Sequence, residues 1–303
     1  MSSFAKRVIK SKRLQKVVKV QHDTVDNPFL LALSIVGPLT RTEIKTYEGP
    51  LRASGLCNVC LREHCIGRHL NVVKKKTIDA QLKLIFGIGN AVHTTMQNDP
   101  VYFGDKLIGF FLCHSCKKVL PFQRRPKACP VCGSEYVFYK EAQVALKGLI
   151  QGHIDIFVEV GKGIIRIVDV KTLTADEFNK LKDAKYEDKF QLCTYQFLVD
   201  ATQNKFPAKI DCINGYIFYV PKQHPGKGKF PIKAFRVERD SLTTETIKST
   251  LKTFNSCIDR ETGRVKEFPP PLVSCIAGDW GAYRPRSCPV GVHCKSLYKE
   301  ENK

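Results

Sequence analysis

Two aspartates and a lysine stand in some of the most apolar sequence of the chain. Gly152-His153-Ile154-Asp155 opens a run that continues through Val160. A Gly-Lys-Gly turn follows, and then Ile164 to Thr172, which carries Asp169 and Lys171. The two runs read as a β-hairpin. With 161–163 as a three-residue loop, residue 160 faces 164. Asp155 then falls opposite Asp169, and His153 opposite Lys171. Strand side chains alternate with period two, so all four share one face. Directly opposed Cβ atoms lie about 4.5–5.5 Å apart, and two carboxylates at that separation repel unless a cation sits between them. A carboxylate-held divalent ion polarises a phosphate and acidifies water, and a lysine on the same face can stabilise the charge that develops. The chemistry implied is phosphodiester hydrolysis. The competing reading is an ion pair between Lys171 and one aspartate in a buried or edge strand.

Thirteen cysteines are a second chemical signal. Cys113-x2-Cys116 and Cys129-x2-Cys132 have the spacing of a zinc ribbon with four thiolate ligands. Lys117, Lys118, Arg124, Arg125 and Lys127 lie between the knuckles, as a nucleic-acid contact or as a solvated loop. Cys57, Cys60 and Cys65 near one end, with Cys275, Cys288 and Cys294 near the other, offer four ligands for iron–sulfur or zinc. His64, His69 and His293 are substitutes if zinc is bound. Cys193, Cys212 and Cys257 stand alone in apolar surroundings and read as buried thiols.

Around these residues the elements alternate. A helix is predicted over 77–97, from Leu82, Ile85, Ile88, Val92 and Met96 at three- and four-residue steps. Residues 141–150 fit helix or strand. One long helix is predicted over 176–199, strands over 212–220 and 232–239, and a helix over 244–259. This is the pattern of an α/β core, a mixed central sheet flanked by helices, with a ribbon inserted at 109–139. Residues 1–54 form a basic N-terminal region and 55–303 the core. Lys6, Arg7, Lys10, Lys12, Arg13, Lys16 and Lys19 make a basic arm or a solvated tail.

The formal net charge of +20 favours a polyanionic partner. The longest apolar run, Phe29 to Val36, is far short of the ~18–20 residues of a membrane span, so nucleic acid is preferred to a membrane. No secretory signal is evident, and CxxC spacings suit a reducing, cytoplasmic compartment, a host's cytoplasm if the chain is viral. No G-x-x-x-x-G-K-[ST] loop occurs, so no helicase is fused within this sequence.

G-H-I-D, V-D-V-K and Q-L-C-T-Y together resemble the PD-(D/E)XK nuclease superfamily, in particular its RecB-like branch with the CRISPR-associated exonucleases. The resemblance spans roughly residues 57–295. It implies a restriction-endonuclease-like core. It implies His93 of Gly89-Asn-Ala-Val-His93, Asp155 and Asp169 as Mg2+ or Mn2+ ligands, with the Val170 carbonyl as a fourth. Lys171 is then the catalytic lysine, Gln191 and Tyr195 lie beside the site or contact DNA, and Glu141 matches an upstream acidic position weakly. The branch often carries a [4Fe–4S] cluster, to which Cys288-x5-Cys294 is similar; the preceding cysteine of that pattern is replaced by Pro285. Cys275, or a pair such as Cys57 and Cys60, must then complete the four. The implied activity is a deoxyribonuclease, an exonuclease on single-stranded DNA or DNA ends in replication, recombination or repair. A separate helicase, recombinase or single-strand-binding protein is an implied partner. The large insert and the missing proline before Asp155 depart from the pattern. The alternatives are a nucleic-acid-binding factor with an inactive core, and a nuclease of RNA.

Overall fold

The computed structural model describes residues 41–161, 163–223, 231–259, 261–277 and 288–302. The basic arm, Pro285 and Lys162 lie outside them. The elements run β1 (Arg41–Thr46), β2 (Leu51–Arg52), α1 (Leu61–His69), β3 (Val73–Ile78), α2 (Ala80–Asn98) and α3 (Pro100–Phe103). Then come β4 (Leu107–Cys113), β5 (Val119–Arg124), β6 (Val137–Lys140), β7 (Ala142–Leu146), β8 (Ile150–Ile154), β9 (Ile156–Gly161) and β10 (Ile164–Leu173). The last are α4 (Ala175–Lys180), α5 (Tyr186–Ala201), β11 (Ile210–Pro221), β12 (Lys233–Glu238), α6 (Ser241–Cys257), α7 (Val273–Ala277) and α8 (Gly291–Glu301).

The described residues divide into two compact units. One comprises residues 41–45 and 74–88, in which β1 and β3 form a two-stranded sheet; the other comprises 46–73 and the described residues from 89 onward. The larger unit is built on a mixed seven-stranded sheet, ordered β12-β11-β10-β9-β4-β5 with β6 also paired to β4. Only β10 and β11 run parallel within it, and the intervening α4 and α5 make the crossover that parallel neighbours require. Alternation along β10 separates two cores. Ile165 and Ile167 pack with Phe190, Leu192 and Leu198 of α5 and with Leu251 and Phe254 of α6. Val168 and Val170 pack with Ile156, Val158, Met96 and Val92 on the other face. Polar groups on β10 are thus enclosed on both sides.

The hairpin follows the predicted register for four pairs and then departs from it. Glu159, Val158, Phe157 and Ile156 face Ile165, Arg166, Ile167 and Val168. Nearer the turn, Gly161 rather than Val160 faces Ile164, and a register irregularity absorbs the difference. Gly163 closes the turn at φ +75°, a conformation that glycine adopts without steric cost. At the other end the ladder stops at Ile156. Asp155 lies between strands, and β8 belongs to a separate three-stranded sheet, β2-β8-β7. His153 therefore pairs with Gln143 and is exposed, not opposite Lys171. The buried Ile154 and Ile156 on either side of Asp155 pin this corner, which periodicity alone reads as one continuous strand.

The long helix expected over 176–199 is two helices. Thr174 and Glu177 form a capping box that starts α4, and Lys233 Nζ takes the terminal carbonyls of Phe178 and Leu181 at 2.6 and 2.7 Å. The Ala184 and Lys185 N–H groups go to Asp183 Oδ1 and Tyr219 Oη instead of to a preceding turn. Residues 141–150 hold strand, not helix: β7 over 142–146 and then a turn at 147–149 into β8. The helix over 244–259 starts earlier, at Ser241, because Asp240 accepts the Thr243 N–H.

Candidate metal-dependent active site

The corner at Asp155 and the outgoing end of β10 meet α2 and α5. Asp155 Oδ2 accepts the Val170 N–H at 2.9 Å where the hairpin ladder has ended. The same oxygen lies 3.4 Å from His93 Nδ1. Ligand atoms of His93, Glu141 and Asp155 fall within 4.8 Å of one another. On the neighbouring side, Asp169 is 1% exposed and its Oδ2 is 2.8 Å from Lys171 Nζ. Lys171 donates to Gln191 Oε1 at 3.0 Å, and Gln191 Nε2 reaches Tyr195 Oη at 2.7 Å and Asp169 Oδ1 at 3.5 Å. One amide therefore bridges the lysine, the aspartate and the tyrosine. The four-residue step from Gln191 to Tyr195 puts both on the inner face of α5.

The electrostatics are those of carboxylates crowded without enough positive charge. Burial, and then the charge of Asp169, push Asp155 well above the ordinary carboxylate range. Burial raises Asp169 too, although Lys171 opposes it. Burial works against charge on Lys171, but Asp169 and Asp155 outweigh it and hold the lysine above its ordinary value. Burial and the nearby Lys171 lower His93, which favours the neutral imidazole that ligates metals. A divalent cation beside Asp155 relieves the first conflict, and the donor set of one imidazole and carboxylate oxygens suits Mg2+ or Mn2+.

Two further groups support the site. Gln97, one helical turn beyond His93, donates to Glu141 Oε1 and to the Asp155 carbonyl, both at 3.0 Å. Its spacing from His93 was the available signal, but a glutamine on a helix carries none by itself. Glu141, only weakly marked in the sequence, stands beside His93 and Asp155. Gly152 lets α5 approach: a Cβ there would lie 2.6 Å from the Tyr195 ring.

At the ribbon, the ligand atoms of Cys113, Cys116, Cys129 and Cys132 lie within 4.8 Å of one another. Sγ separations are 3.6 Å for Cys113–Cys132 and 3.8 Å for Cys116–Cys129. Tetrahedral zinc with ~2.3 Å bonds requires about 3.8 Å between sulfurs, so the cysteines fit the ion. Each knuckle is followed by a left-handed residue, Lys117 (φ 59°) and Gly133 (φ 72°). The Cys116 N–H, first among several donors, brings the Cys113 thiol down to about 6. Two of the five basic residues are committed elsewhere: Arg124 pairs with Glu159, and Arg125 caps α2 through the Asn98 and Gln97 carbonyls. Lys117, Lys118 and Lys127 are exposed.

The remaining cysteines separate by position. Cys288 interacts electrostatically with Cys60 and Cys294, and Cys294 with Cys60 and Cys275. Cys65 hydrogen-bonds Cys257 and also interacts with Cys60, and Cys57 lies near Glu187. Buried Arg62 bonds the Pro269 carbonyl, Glu301 and Cys294, tying α1 to the chain's far end. Cys60, Cys288 and Cys294 interact mutually and Cys275 interacts with Cys294, although their sulfurs do not gather within 4.8 Å of one another as the ribbon's do. Cys193, Cys212 and Cys257 are buried.

The family model of the PD-(D/E)XK nuclease superfamily matches residues 118–294. The chain belongs to that superfamily. Among solved structures, the crystal structure of SSO0001 is similar over 82% of this chain and 87% of its own, at 12% identity and a TM-score of 0.34. An alkaline exonuclease, LHK-Exo from Laribacter hongkongensis, is similar over 69% and 87%, at 13% identity and a TM-score of 0.36. Its complex with dAMP gives 69% and 88%, 12% and 0.38. No curated protein matches the chain. The family assignment rests on the matched residues. Among the described residues, no helix is long and apolar enough to cross a membrane.

Proposed function

We propose that the chain is a Mg2+- or Mn2+-dependent deoxyribonuclease of the RecB-like branch, acting as an exonuclease on single-stranded DNA or DNA ends. The observation that carries this reading is the convergence of His93, Glu141, Asp155 and Asp169 with Lys171 at one sheet corner. His93, Glu141 and Asp155 hold the cation, with Asp169 and the Val170 carbonyl adjacent. The bound ion supplies Lewis acidity toward the phosphate and a more acidic water. Lys171, kept charged by Asp169 and aimed by Gln191, neutralises charge that builds on the phosphate oxygens. Gln191 is in turn held by Tyr195. The net charge of +20 supports a polyanionic substrate.

The ribbon cysteines hold zinc, and Cys60, Cys275, Cys288 and Cys294 hold a [4Fe–4S] cluster that joins the two ends of the core. Incubation of the purified chain with labelled single-stranded DNA, duplex DNA and RNA in Mn2+ tests the reading. Cleavage of DNA by wild type and none by Asp169→Ala is the expected result. DNA binding without cleavage under any divalent metal favours the inactive-core alternative.

A further inference from the structure

The ribbon carries an exposed face that the metal site does not use. In the ladder β5-β4-β6, Leu112 pairs with Val119 on one side and Phe138 on the other. The next pair outward is His114 with Tyr136, joined by the His114 N–H to the Tyr136 carbonyl at 2.9 Å. Alternation therefore puts Val119, Leu112, Phe138, His114 and Tyr136 on one face. The opposite face, with Phe111, Leu120 and Tyr139, is core. Tyr136 is 69% exposed and Phe138 37%, and the His114 ring lies 4.6 Å from Phe138. Phe138 is partly covered by His114, but Tyr136 leaves most of its ring in solvent, where it gains little of the burial that makes aromatic residues stabilising. Lys117, Lys118 and Lys140 are exposed in the same ladder region, and Glu135 is the one acidic residue between Cys113 and Lys140.

From these observations we infer that this face is a stacking platform for single-stranded nucleic acid. Unstacked bases lie on Tyr136, His114 and Phe138, while the lysines take the phosphates. A duplex keeps its bases stacked on each other, so it gains only the charge contacts. β6 leads from the platform directly to Glu141, with Tyr136 about 17 Å of strand away at ~3.3 Å per residue. A strand held there lies a few nucleotides from the metal site. The inference rests on the nuclease reading for its polyanionic partner, but its test is a binding measurement that an inactive chain can pass or fail.

Fluorescence anisotropy of the full chain, zinc retained and no Mg2+ or Mn2+ added, is measured with labelled oligo-dT, oligo-U and a DNA duplex. Tyr136→Ala, and Tyr136→Ala with Phe138→Ala, are compared with Tyr136→Trp, each checked for one ribbon zinc. We expect Tyr136→Ala to weaken single-strand binding about tenfold and the double variant further. Tyr136→Trp holds wild-type affinity, and the duplex changes less than threefold. Loss on oligo-dT with oligo-U unbound assigns the platform to DNA; parallel loss on both assigns it to single strands of either kind. Wild-type affinity in the double variant overturns the inference and leaves the face to a protein partner. Equal loss on single strands and duplex also overturns it, because charge alone then explains binding.

Discussion

Replacing Lys171 by Met removes the positive charge that compensates Asp169. The 2.8 Å separation gives a gross attraction of about 6 kcal/mol at an effective dielectric of ~20. Desolvation offsets part of it, and breaking a buried pair costs about 3–5 kcal/mol because a lone charge remains. The lysine side chain is 22% exposed, so the lower end, about 3 kcal/mol, applies. At ~2–4 °C per kcal/mol this is a fall in Tm of about 6–12 °C for a unit of this size. The pH dependence has a definite sign. Asp155 and Asp169 already sit above their unfolded values, and loss of the lysine raises them further. A carboxyl raised in the folded state contributes stability that is full at low pH and lost as pH rises through its folded pKa. The deficit of Lys171→Met therefore grows as pH rises and shrinks as pH falls, because a proton on the carboxyl then replaces the ammonium. Saturating Ca2+ narrows it as well. Scanning calorimetry at several pH values, zinc retained and no other divalent cation added, reads this directly. A deficit under 2 °C, or one unchanged between pH 5 and 8, refutes the reasoning.

The same carboxylates predict that stabilisation of the wild type by Ca2+ or Mn2+ grows as pH rises from 5 to 8, readable as a widening Tm difference with and without the ion. Gln97→Ala frees Glu141 and should weaken Mn2+ binding about 10–100-fold by calorimetry while leaving Tm within a few degrees. Gly152→Ala drives a methyl into the Tyr195 ring and should cost about 1–3 kcal/mol by denaturant titration. In anaerobically purified protein, Cys60→Ser should abolish iron–sulfur absorbance while Cys57→Ser preserves it; the reverse order would reassign the ligands.

Much of the site was legible because its signals are local. Asp169 and Lys171 share a face by strand alternation, Gln191 and Tyr195 by helical spacing, and the CxxC pairs by knuckle geometry. Misreadings arose where the chain turns without a marker. Ile154-Asp155-Ile156 continues the apolar pattern, so the change of sheet at Asp155 and the outward placing of His153 are set by tertiary packing. No proline or glycine separates α4 from α5; the break depends on Lys233 and Tyr219, both distant in sequence. Glu141 is marked only weakly in the sequence and Gln97 not at all, because their roles show once β7 and α2 are brought together. Which cysteines share a neighbourhood depended on α8 packing beside α1, which spacing alone cannot express.

The central claim is that one metal site at the Asp155 corner, completed by Lys171, cleaves DNA. Single-turnover cleavage of end-labelled single-stranded DNA in Mn2+ by wild type, Asp155→Asn and Lys171→Met tests it most directly. Wild type should cleave, and each variant should lose about 100-fold or more in rate while still binding the DNA within a few fold. Cleavage by both variants at the wild-type rate would contradict the account.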